Sequence, residues 1–258
     1  MLARLGRWAI ERARGTGYAL GFLAQVVRET LLFPRRRQVA FKVLVLQILF
    51  TGVEAIGIVS LSALAIGAVI IVEGNTLLPR FGQSGLLYQI LIVVITRELG
   101  PVLTAFIIIA RSGTAIATEL GNMVVSHEIE AYVSVGINPI AYLAVPRVLG
   151  VTIAMMALTV YFNFFGLVGS YLVSQFVKPM PLAEYFRNLL LTLQARDVLA
   201  TLVKGFVFGF LASTVATFQG FKVKVAVTEI PRAAIKAVGQ GFVLVFVADA
   251  IITLITYV

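Results

Sequence analysis

A charged pair, Arg97 and Glu98, stands near the middle of an apolar stretch at residues 86–111. Each charge costs about 2.5–3.5 kcal/mol at the centre of a membrane helix, so both need a structural or functional reason to be there. Pro101, which follows Gly100, has no N–H, and we expect a kink because the carbonyl of Arg97 loses its usual helical partner. These features together predict a polar cavity inside the membrane. The alternative is an internal ion pair that binds no ligand.

Three further ionisable residues lie inside apolar stretches: Glu54, Lys204 and Asp249. Lys204 and Asp249 can pair with each other, or the lysine can reach the membrane interface with its long side chain. The acids can instead act with Glu98 as a proton relay, which is typical of a secondary carrier. Residue types alone leave both interpretations open.

The sequence lacks the residues and motifs that most enzymatic reactions require. The sequence has no Cys and a single His, His127, which excludes thiolate sites and argues against zinc or haem. No GxxxxGK[ST] phosphate loop, GxSxG elbow or HExxH helix occurs. We therefore predict no catalytic residue, no metal site and no cofactor, and a membrane-bound lipid-modifying enzyme is disfavoured. Energy for transport has to come from a partner.

The composition shows what kind of structure positions these residues. Of the 258 residues, 60% are apolar and 13% are charged, whereas soluble domains are roughly half apolar and a quarter charged. The net charge is +9, and nine of the 21 Lys and Arg precede residue 43. These cations are not interleaved with stacking aromatics, so they indicate anionic membrane lipid and not nucleic acid. The chain is predicted to be an all-α integral membrane protein.

The hydrophobic pattern predicts one domain over residues 1–258, with an N-terminal region at 1–38 and a transmembrane domain at 39–258. In the first region one helix face groups Arg4, Arg7, Glu11 and Arg14 opposite Leu2, Leu5, Ala9 and Ala13. This pattern predicts a helix lying in the membrane interface, with a disordered basic tail as the alternative. About five stretches are long enough to cross the bilayer: 46–72, 86–111, 141–177, 198–219 and 237–257.

The third stretch is longer than a straight crossing requires. We expect it either to extend past the membrane or to be interrupted around Asn163 and Gly166. Small residues also recur four apart, at Gly113, Ala117 and Gly121 and again at Gly205 and Gly209. That spacing predicts close helix packing or a dimer seam.

Loop charges predict the orientation in the membrane. Loops 73–85 and 178–197 share one side, and loops 112–140 and 220–236 share the other. Nine cations precede residue 43, and the last loop adds Lys222, Lys224 and Arg232, so this side is predicted to be cytoplasmic and the C-terminus external. Loop 112–140 has no Lys or Arg but carries Glu119, Glu128 and Glu130. Its acidic character indicates docking to a partner.

A block at residues 97–150 contains several ordered motifs. It begins with RELGPV, continues with the pattern R-x-G-x-A-x-x-x-E-x-G-x-M from Arg111 to Met123, and ends with GINP and PR pairs. In this order the motifs resemble the MlaE/YrbE family of permeases, which belong to ABC-type lipid transporters that work with MCE-domain proteins. Outside the block, the resemblance consists of the amphipathic start and the five spans.

The resemblance implies a homodimeric phospholipid permease in the cell inner membrane. Its implied partners are a cytoplasmic ABC ATPase, a periplasmic MCE-domain protein and a STAS-domain protein, with the N-terminus cytoplasmic and the C-terminus periplasmic. Arg97 and Glu98 are the implied substrate-binding residues: the arginine lies near the lipid phosphate, and the glutamate shapes the polar side of the cavity.

The resemblance also assigns a role to the acidic loop. It implies a cytoplasmic coupling helix at about 113–135, between the second and third spans, whose contacts to the ATPase are Glu119, Glu128 and Glu130. In the segment SHEIEAY, His127 stands where the family form TEQIDAL carries an acidic residue. We expect this departure to affect the docking contact.

Overall fold

The computed structural model of the chain is helical, with no strand among the residues that it describes. It describes the backbone of residues 2–33, 37–82, 84–224 and 226–257, and the side chains of residues 17–33, 41–82, 85–224 and 226–257. The predicted all-α class is confirmed.

The α-helices, in chain order, are α1 (Leu2–Leu32), α2 (Arg37–Gly52), α3 (Ile56–Leu77), α4 (Leu87–Leu91), α5 (Gly100–Ile108), α6 (Thr114–Val125), α7 (Glu128–Ser134), α8 (Val145–Val177), α9 (Leu182–Thr192), α10 (Ala195–Phe221) and α11 (Glu229–Tyr257). Wider π-helical stretches lie at Ile92–Leu99, Ile109–Gly113 and Ile140–Ala144. Tighter 3₁₀ turns lie at Val53–Ala55, Leu78–Phe81 and Ser84–Leu86.

Within the described residues, five continuous helical segments are apolar and long enough to cross a bilayer. They are Phe41–Phe81, Leu87–Val125, Ile140–Val177, Ala195–Phe221 and Glu229–Tyr257, and we refer to them as the first to fifth spans. Each exceeds the roughly 20 residues that about 30 Å of hydrocarbon requires. The five predicted spans are confirmed, and the chain is an integral membrane protein.

The third span is continuous through Asn163 and Gly166, because α8 runs unbroken from Val145 to Val177. The predicted alternative of an interruption there is wrong. The span has 38 residues, or about 57 Å at 1.5 Å per residue, so it extends well past the hydrocarbon.

Helix α8 forms the centre of the bundle and packs against α2, α3 and α10. Glycines allow the close approach: a Cβ at Gly209 of α10 would lie 2.9 Å from the Cα of Thr152, and a Cβ at Gly67 of α3 would overlap the carbonyl oxygen of Gly166. Backbones can approach this closely only where the side chain is absent. The close packing predicted for Gly209 is therefore made within the chain, against α8.

The predicted coupling segment, at about 113–135, consists of two helices and not one. Helix α6 continues the second span as far as Val125, and α7 begins after a turn at Ser126 and His127. His127 has a φ of 60°, the left-handed region that a right-handed helix cannot contain. The chain therefore changes direction at this residue.

The N-terminal segment is helical from Leu2 to Leu32, as predicted. Buried side chains of Phe22 and Val26 pack against Val148 and Phe218 of the bundle. The side chains of Arg4, Arg7, Glu11 and Arg14, like residues 34–36, lie outside the described residues. The position of α1 in the membrane interface stays a prediction.

The bundle has two ends, which we name after the short helices they carry. The α9 end holds the starts of the second and fourth spans and the end of the fifth, and Tyr185 of α9 packs against Tyr88 there, with ring centroids 5.9 Å apart. The α7 end holds α7, the start of the third span and the connection between α10 and α11.

Candidate functional site

Lys204 is the centre of a charged cluster in the half of the bundle nearer the α9 end. Its side chain is fully buried, and its Nζ lies 2.8 Å from Oε2 of Glu98 and 2.7 Å from Oδ1 of Asp249. The same Nζ donates a hydrogen bond of 2.9 Å to the carbonyl oxygen of Arg97. These contacts join the second, fourth and fifth spans at one point.

Arg97 forms the second half of the cluster. Its Nε lies 2.9 Å from Oδ1 of the fully buried Asp197, an ion pair by distance without hydrogen-bond alignment. Its guanidinium carbon lies 4.5 Å from the ring centroid of Tyr257, a cation–π contact. The Tyr257 hydroxyl donates to the same Asp197 oxygen at 3.3 Å. Arg97 thus contacts a carboxylate and an aromatic face, and the hydrogen bond between Tyr257 and Asp197 joins these two partners to each other.

The start of α10 positions Asp197. This residue forms a capping box with Gln194, in which each side chain accepts a hydrogen bond from the other residue's backbone N–H, and the Gln194 N–H lies 3.0 Å from Oδ2 of Asp197. A capping box satisfies two helix-terminal donors at once. One carboxylate therefore both begins α10 and binds Arg97.

The cluster has three carboxylates (Glu98, Asp197 and Asp249) and two cations (Arg97 and Lys204). Buried charges in proteins need partners, because removing an ion from water costs several kcal/mol. Glu98 also accepts a hydrogen bond of 3.3 Å from the Thr253 hydroxyl. Its side chain is 32% exposed and that of Arg97 18% exposed, so the cluster opens toward the surface at these two residues.

An apolar cavity of about 210 Å³ adjoins the cluster. Its lining consists of Thr96, Val160, Asn163, Phe164, Leu167, Leu193, Val198, Thr201 and Leu202. The Thr201 hydroxyl donates to the carbonyl oxygen of Thr96 at 2.9 Å and so ties the second and fourth spans together here. The buried Oδ1 of Asn163 has no hydrogen-bond partner among the described residues. Apolar walls with a few polar groups are typical of ligand cavities.

The structure brings the predicted site residues Arg97 and Glu98 together with Lys204 and Asp249. The pairing of Lys204 with Asp249, one of the two predicted alternatives, is confirmed. Glu54 is not part of the cluster, because it pairs with Arg111.

The distance between the Glu54–Arg111 pair and the charged cluster matters for proton transfer. Arg111 lies 13 residues beyond Glu98 on the same span, or roughly 20 Å along the helix axis at 1.5 Å per residue. No contact among the described residues joins Glu54 to the cluster. The three acids of the predicted proton relay therefore fall into two separate places.

Asp197 and Tyr257 are the cluster residues that the sequence did not reveal. Both lie at the ends of spans, at the start of α10 and the end of α11. Ionisable and aromatic residues at such positions are common at membrane interfaces and indicate no site. The three-residue spacing of Gln194 and Asp197 was the one available signal, since it matches a capping box.

The three predicted coupling acids lie toward the α7 end. Oε1 of Glu119 lies 2.7 Å from Nη2 of the buried Arg147, an ion pair between the second and third spans. Glu128 and Glu130 lie exposed in the first turn of α7, where acidic residues interact favourably with the helix dipole. Oε2 of Glu130 also lies 2.9 Å from Nδ1 of His127.

Comparison with known proteins supports the resemblance seen in the sequence. The model of the family described as Permease MlaE matches residues 44–255. A probable ABC transporter permease protein of Rickettsia bellii is 27% identical over 96% of this chain and 95% of its own length. The corresponding protein of Rickettsia typhi is 30% identical over 80% of both chains.

A third relative has a more specific name. The intermembrane phospholipid transport system permease protein MlaE of Haemophilus influenzae is 26% identical over 99% of this chain and 97% of its own length. The family match covers the five ionisable residues of the charged cluster, the cavity and all five spans apart from a few terminal residues, among them Tyr257. The predicted family is therefore confirmed, and the chain belongs to the MlaE permease family.

Proposed function

We propose that this chain is the transmembrane permease subunit of an ABC-type transporter that moves phospholipids between the inner membrane and a periplasmic MCE-domain partner. Two copies of the chain form the permease, and a separate cytoplasmic ATPase supplies the energy. A STAS-domain protein is a further partner in this proposal. The name of the Haemophilus relative, a permease of an intermembrane phospholipid transport system, supports the substrate class.

The observation that carries the proposal is that Arg97, a partly exposed cation of the charged cluster, directly follows a residue that lines the apolar cavity. Its Nε is bound to Asp197, but neither terminal nitrogen has a partner among the described residues. The preceding residue, Thr96, lines the cavity. A phospholipid carries a phosphate next to apolar chains, so its phosphate matches the guanidinium and its chain matches the cavity.

Glu98 has a different role in this proposal. A carboxylate repels phosphate, and this one is bound to Lys204 at 2.8 Å and to Thr253. These bonds fix the second span against the fourth and fifth and so hold Arg97 in place. Glu98 shapes the polar wall of the site without contacting the phosphate.

The distribution of Lys and Arg supports the orientation. The α7 end carries the cation-rich loop with Lys222, Lys224 and Arg232, and cytoplasmic segments are the ones that retain such residues. We therefore place the N-terminus and the α7 end in the cytoplasm and the C-terminus in the periplasm. Arg97 then lies in the periplasmic half of the membrane, close to a partner that accepts or delivers lipid on that side.

Helix α7 provides the proposed contact with the ATPase. Its exposed acids, Glu128 and Glu130, stand beside two exposed apolar residues, Val133 at 59% and Val135 at 71% exposure. Exposed apolar side chains next to charges are characteristic of protein-binding surfaces. Glu119 is 57% exposed and has an oxygen outside its Arg147 ion pair, so it can complete the contact.

The substitution Arg97→Gln tests the proposal. The variant and the native chain are reconstituted into proteoliposomes with the ATPase, and ATP-dependent transfer of fluorescent phospholipid to the purified MCE-domain partner is measured. Loss of the charge-assisted bond to phosphate is expected to lower transfer by at least about tenfold. Arg187→Gln, which changes an exposed arginine of α9, is the matched control and should transfer lipid normally.

Measuring the stability of the Arg97→Gln protein separates a loss of phosphate binding from misfolding. Arg97→Lys keeps the charge but loses the planar fork, and it should recover part of the transfer activity. Normal transfer by a correctly folded Arg97→Gln protein would remove Arg97 from the lipid site.

The sequence left a proton-coupled carrier as the alternative. That mechanism needs Glu54, Glu98 and Asp249 in one relay, whereas Glu54 pairs with Arg111 and the other two bind Lys204. The same proteoliposomes distinguish the two mechanisms. Transfer driven by a proton gradient in the absence of ATP would favour the carrier.

A further inference from the structure

A second polar cavity lies at the α7 end, between the end of α10 and the start of α11. Its volume is about 220 Å³, large enough for a hydrated phosphate group. Its lining consists of Gln219, Lys222, Val223, Lys224, Glu229, Arg232, Ala233 and Lys236. Four cations and one carboxylate thus surround the space, and we call it the basic pocket.

Glu229 is the one carboxylate in the lining of the basic pocket, and its single negative charge offsets only one of the four positive charges. Oε2 of Glu229 accepts a hydrogen bond of 2.9 Å from the backbone N–H of Lys224. The Gln219 side chain donates at 2.6 Å to Gln240. No side chain of the four cations forms an ion pair with a described residue, and an uncompensated group of like charges is unfavourable. The basic pocket therefore attracts an anion.

The surroundings indicate what carries that anion. Nζ of Lys222 lies 5.5 Å from the ring centroid of Phe218, and Phe22 of α1 packs against both Phe218 and Phe221, with ring centroids 5.5 and 6.1 Å away. These rings are part of the packing between α1 and α10 and bring α1 close to the pocket. The pocket lies where the apolar run of α10 ends, so its cations stand at headgroup depth, where Lys and Arg attract anionic lipid.

We propose that the basic pocket binds the phosphate of an anionic phospholipid headgroup in the leaflet at the α7 end. Basic pockets between membrane helices are known binding places for such headgroups. The bound lipid bridges α10 and α11 and neutralises cations that would otherwise repel one another. This site lies at the opposite end of the bundle from Arg97, so it is independent of the proposed transport site.

The test uses the purified full chain in nanodiscs that contain phosphatidylcholine and phosphatidylglycerol in equal amounts. Native mass spectrometry counts the lipids of each class that remain bound. The native chain should retain phosphatidylglycerol in preference to phosphatidylcholine. Arg232→Gln with Lys236→Gln should lower the retained phosphatidylglycerol by at least about tenfold, since each cation near a membrane surface contributes about fivefold.

A matched pair of substitutions controls for net charge. Lys178→Gln with Arg187→Gln removes two exposed cations at the α9 end and should leave phosphatidylglycerol retention unchanged. The Arg97→Gln protein should also retain it, which separates this proposal from the transport site. Equal losses in both double variants, or no loss in either, would overturn the proposal.

Two other outcomes would assign the pocket to a different ligand. In nanodiscs of phosphatidylcholine alone, inorganic phosphate and ATP are added instead of anionic lipid. If inorganic phosphate or ATP binds in these nanodiscs, and phosphatidylglycerol is not retained in the mixed-lipid nanodiscs, the ligand is a soluble phosphate and the lipid assignment is overturned. Loss of ATPase copurification in Arg232→Gln with Lys236→Gln, at unchanged lipid retention, would identify a protein contact and equally overturn it.

Discussion

The ammonium group of Lys204 occupies the place of a missing main-chain donor, 2.9 Å from the carbonyl oxygen of Arg97. In a regular helix this oxygen accepts the N–H of the residue four positions later, which here is Pro101 and has none. Pro101 therefore removes the usual i+4 donor to this oxygen, and a side chain of the fourth span donates to it. The same ammonium neutralises Glu98 and Asp249, so one residue fixes three spans.

Removal of this ammonium should destabilise the bundle. Lys204→Met leaves two carboxylates and a carbonyl without their cation, and breaking a buried ion pair in this way costs about 3–5 kcal/mol. We expect a lower transition temperature for thermal unfolding in detergent. Lys178→Met, at an exposed position, is the control and should unfold like the native chain.

A compensating change tests whether the uncompensated carboxylates cause the loss of stability in Lys204→Met. Replacing the two acids as well, in Lys204→Met with Glu98→Gln and Asp249→Asn, removes the uncompensated charges and should restore part of the stability. A Lys204→Met protein that unfolds at the native temperature would show that the cluster does not hold the spans together.

The sequence identified the parts of the fold that depend on composition along the chain. Membrane spans need long apolar runs, and charges inside those runs are costly, so Arg97, Glu98, Lys204 and Asp249 stood out. The pairing of Lys204 with Asp249 was predictable because few other partners exist in hydrocarbon, whereas the partners of Arg97 and Glu98 were not predicted. The family motif at 97–150 then supplied the class of protein.

The missed features depend on three-dimensional proximity or on backbone conformation. Asp197 and Tyr257 meet Arg97 only after three spans have packed, and no spacing in the chain reflects that contact. The coupling segment divides at His127 because this residue adopts a left-handed conformation, which non-glycine residues seldom do. A pattern of residue types cannot reveal such a turn.

Close packing between α8 and α10 should be sensitive to a single methyl group. In Gly209→Ala the new Cβ would lie 2.9 Å from both the Cα of Thr152 and the Cβ of Met155, so the helices have to separate. Overpacking of this kind costs about 1–3 kcal/mol, measured as a lower thermal transition. Gly239→Ala introduces the same change on α11 where no atom lies within 4 Å, and its transition should not fall.

Tyr185 should make the docking of α9 sensitive to alkaline pH. Its hydroxyl lies 2.6 Å from the Ser170 hydroxyl and donates to the carbonyl oxygen of Leu167. Burial raises the pKa of Tyr185 from 10.0 to about 12, and this effect outweighs the hydrogen bond with Ser170, which lowers the pKa. The folded state thus holds the phenol proton more tightly than the unfolded chain. The stabilisation is complete below pH 10 and is lost as the pH rises toward 12.

The measurement for Tyr185 is hydrogen exchange of the α9 amides as a function of pH. Tyr185→Phe loses about 1 kcal/mol of hydrogen bonding at neutral pH and should lack the native increase in opening between pH 10 and 12. Tyr18→Phe, at a tyrosine that is 67% exposed, should keep the native pH profile. Identical profiles for the Tyr185→Phe and native proteins would place the alkaline transition elsewhere.

Reversal of the α7 charges should weaken the proposed ATPase contact without affecting the membrane domain. Glu128→Lys with Glu130→Lys replaces two exposed acids, and exposed charge pairs contribute about 0.2–1 kcal/mol each, so we expect an affinity loss of up to about thirtyfold. Titration of the detergent-solubilised permease with purified ATPase measures this loss. It should diminish at high salt, because exposed charges are screened.

Two controls show whether the loss arises at the contact. Glu184→Lys reverses an exposed acid at the α9 end and should bind the ATPase normally. His127→Ala removes the side-chain contact with Glu130, whose Oε2 lies 2.9 Å from Nδ1 of the histidine, and should change the affinity by less than the double reversal. Native affinity in the Glu128→Lys, Glu130→Lys protein would exclude these acids from the ATPase contact and leave Glu119 and the exposed apolar residues Val133 and Val135 as its remaining candidates.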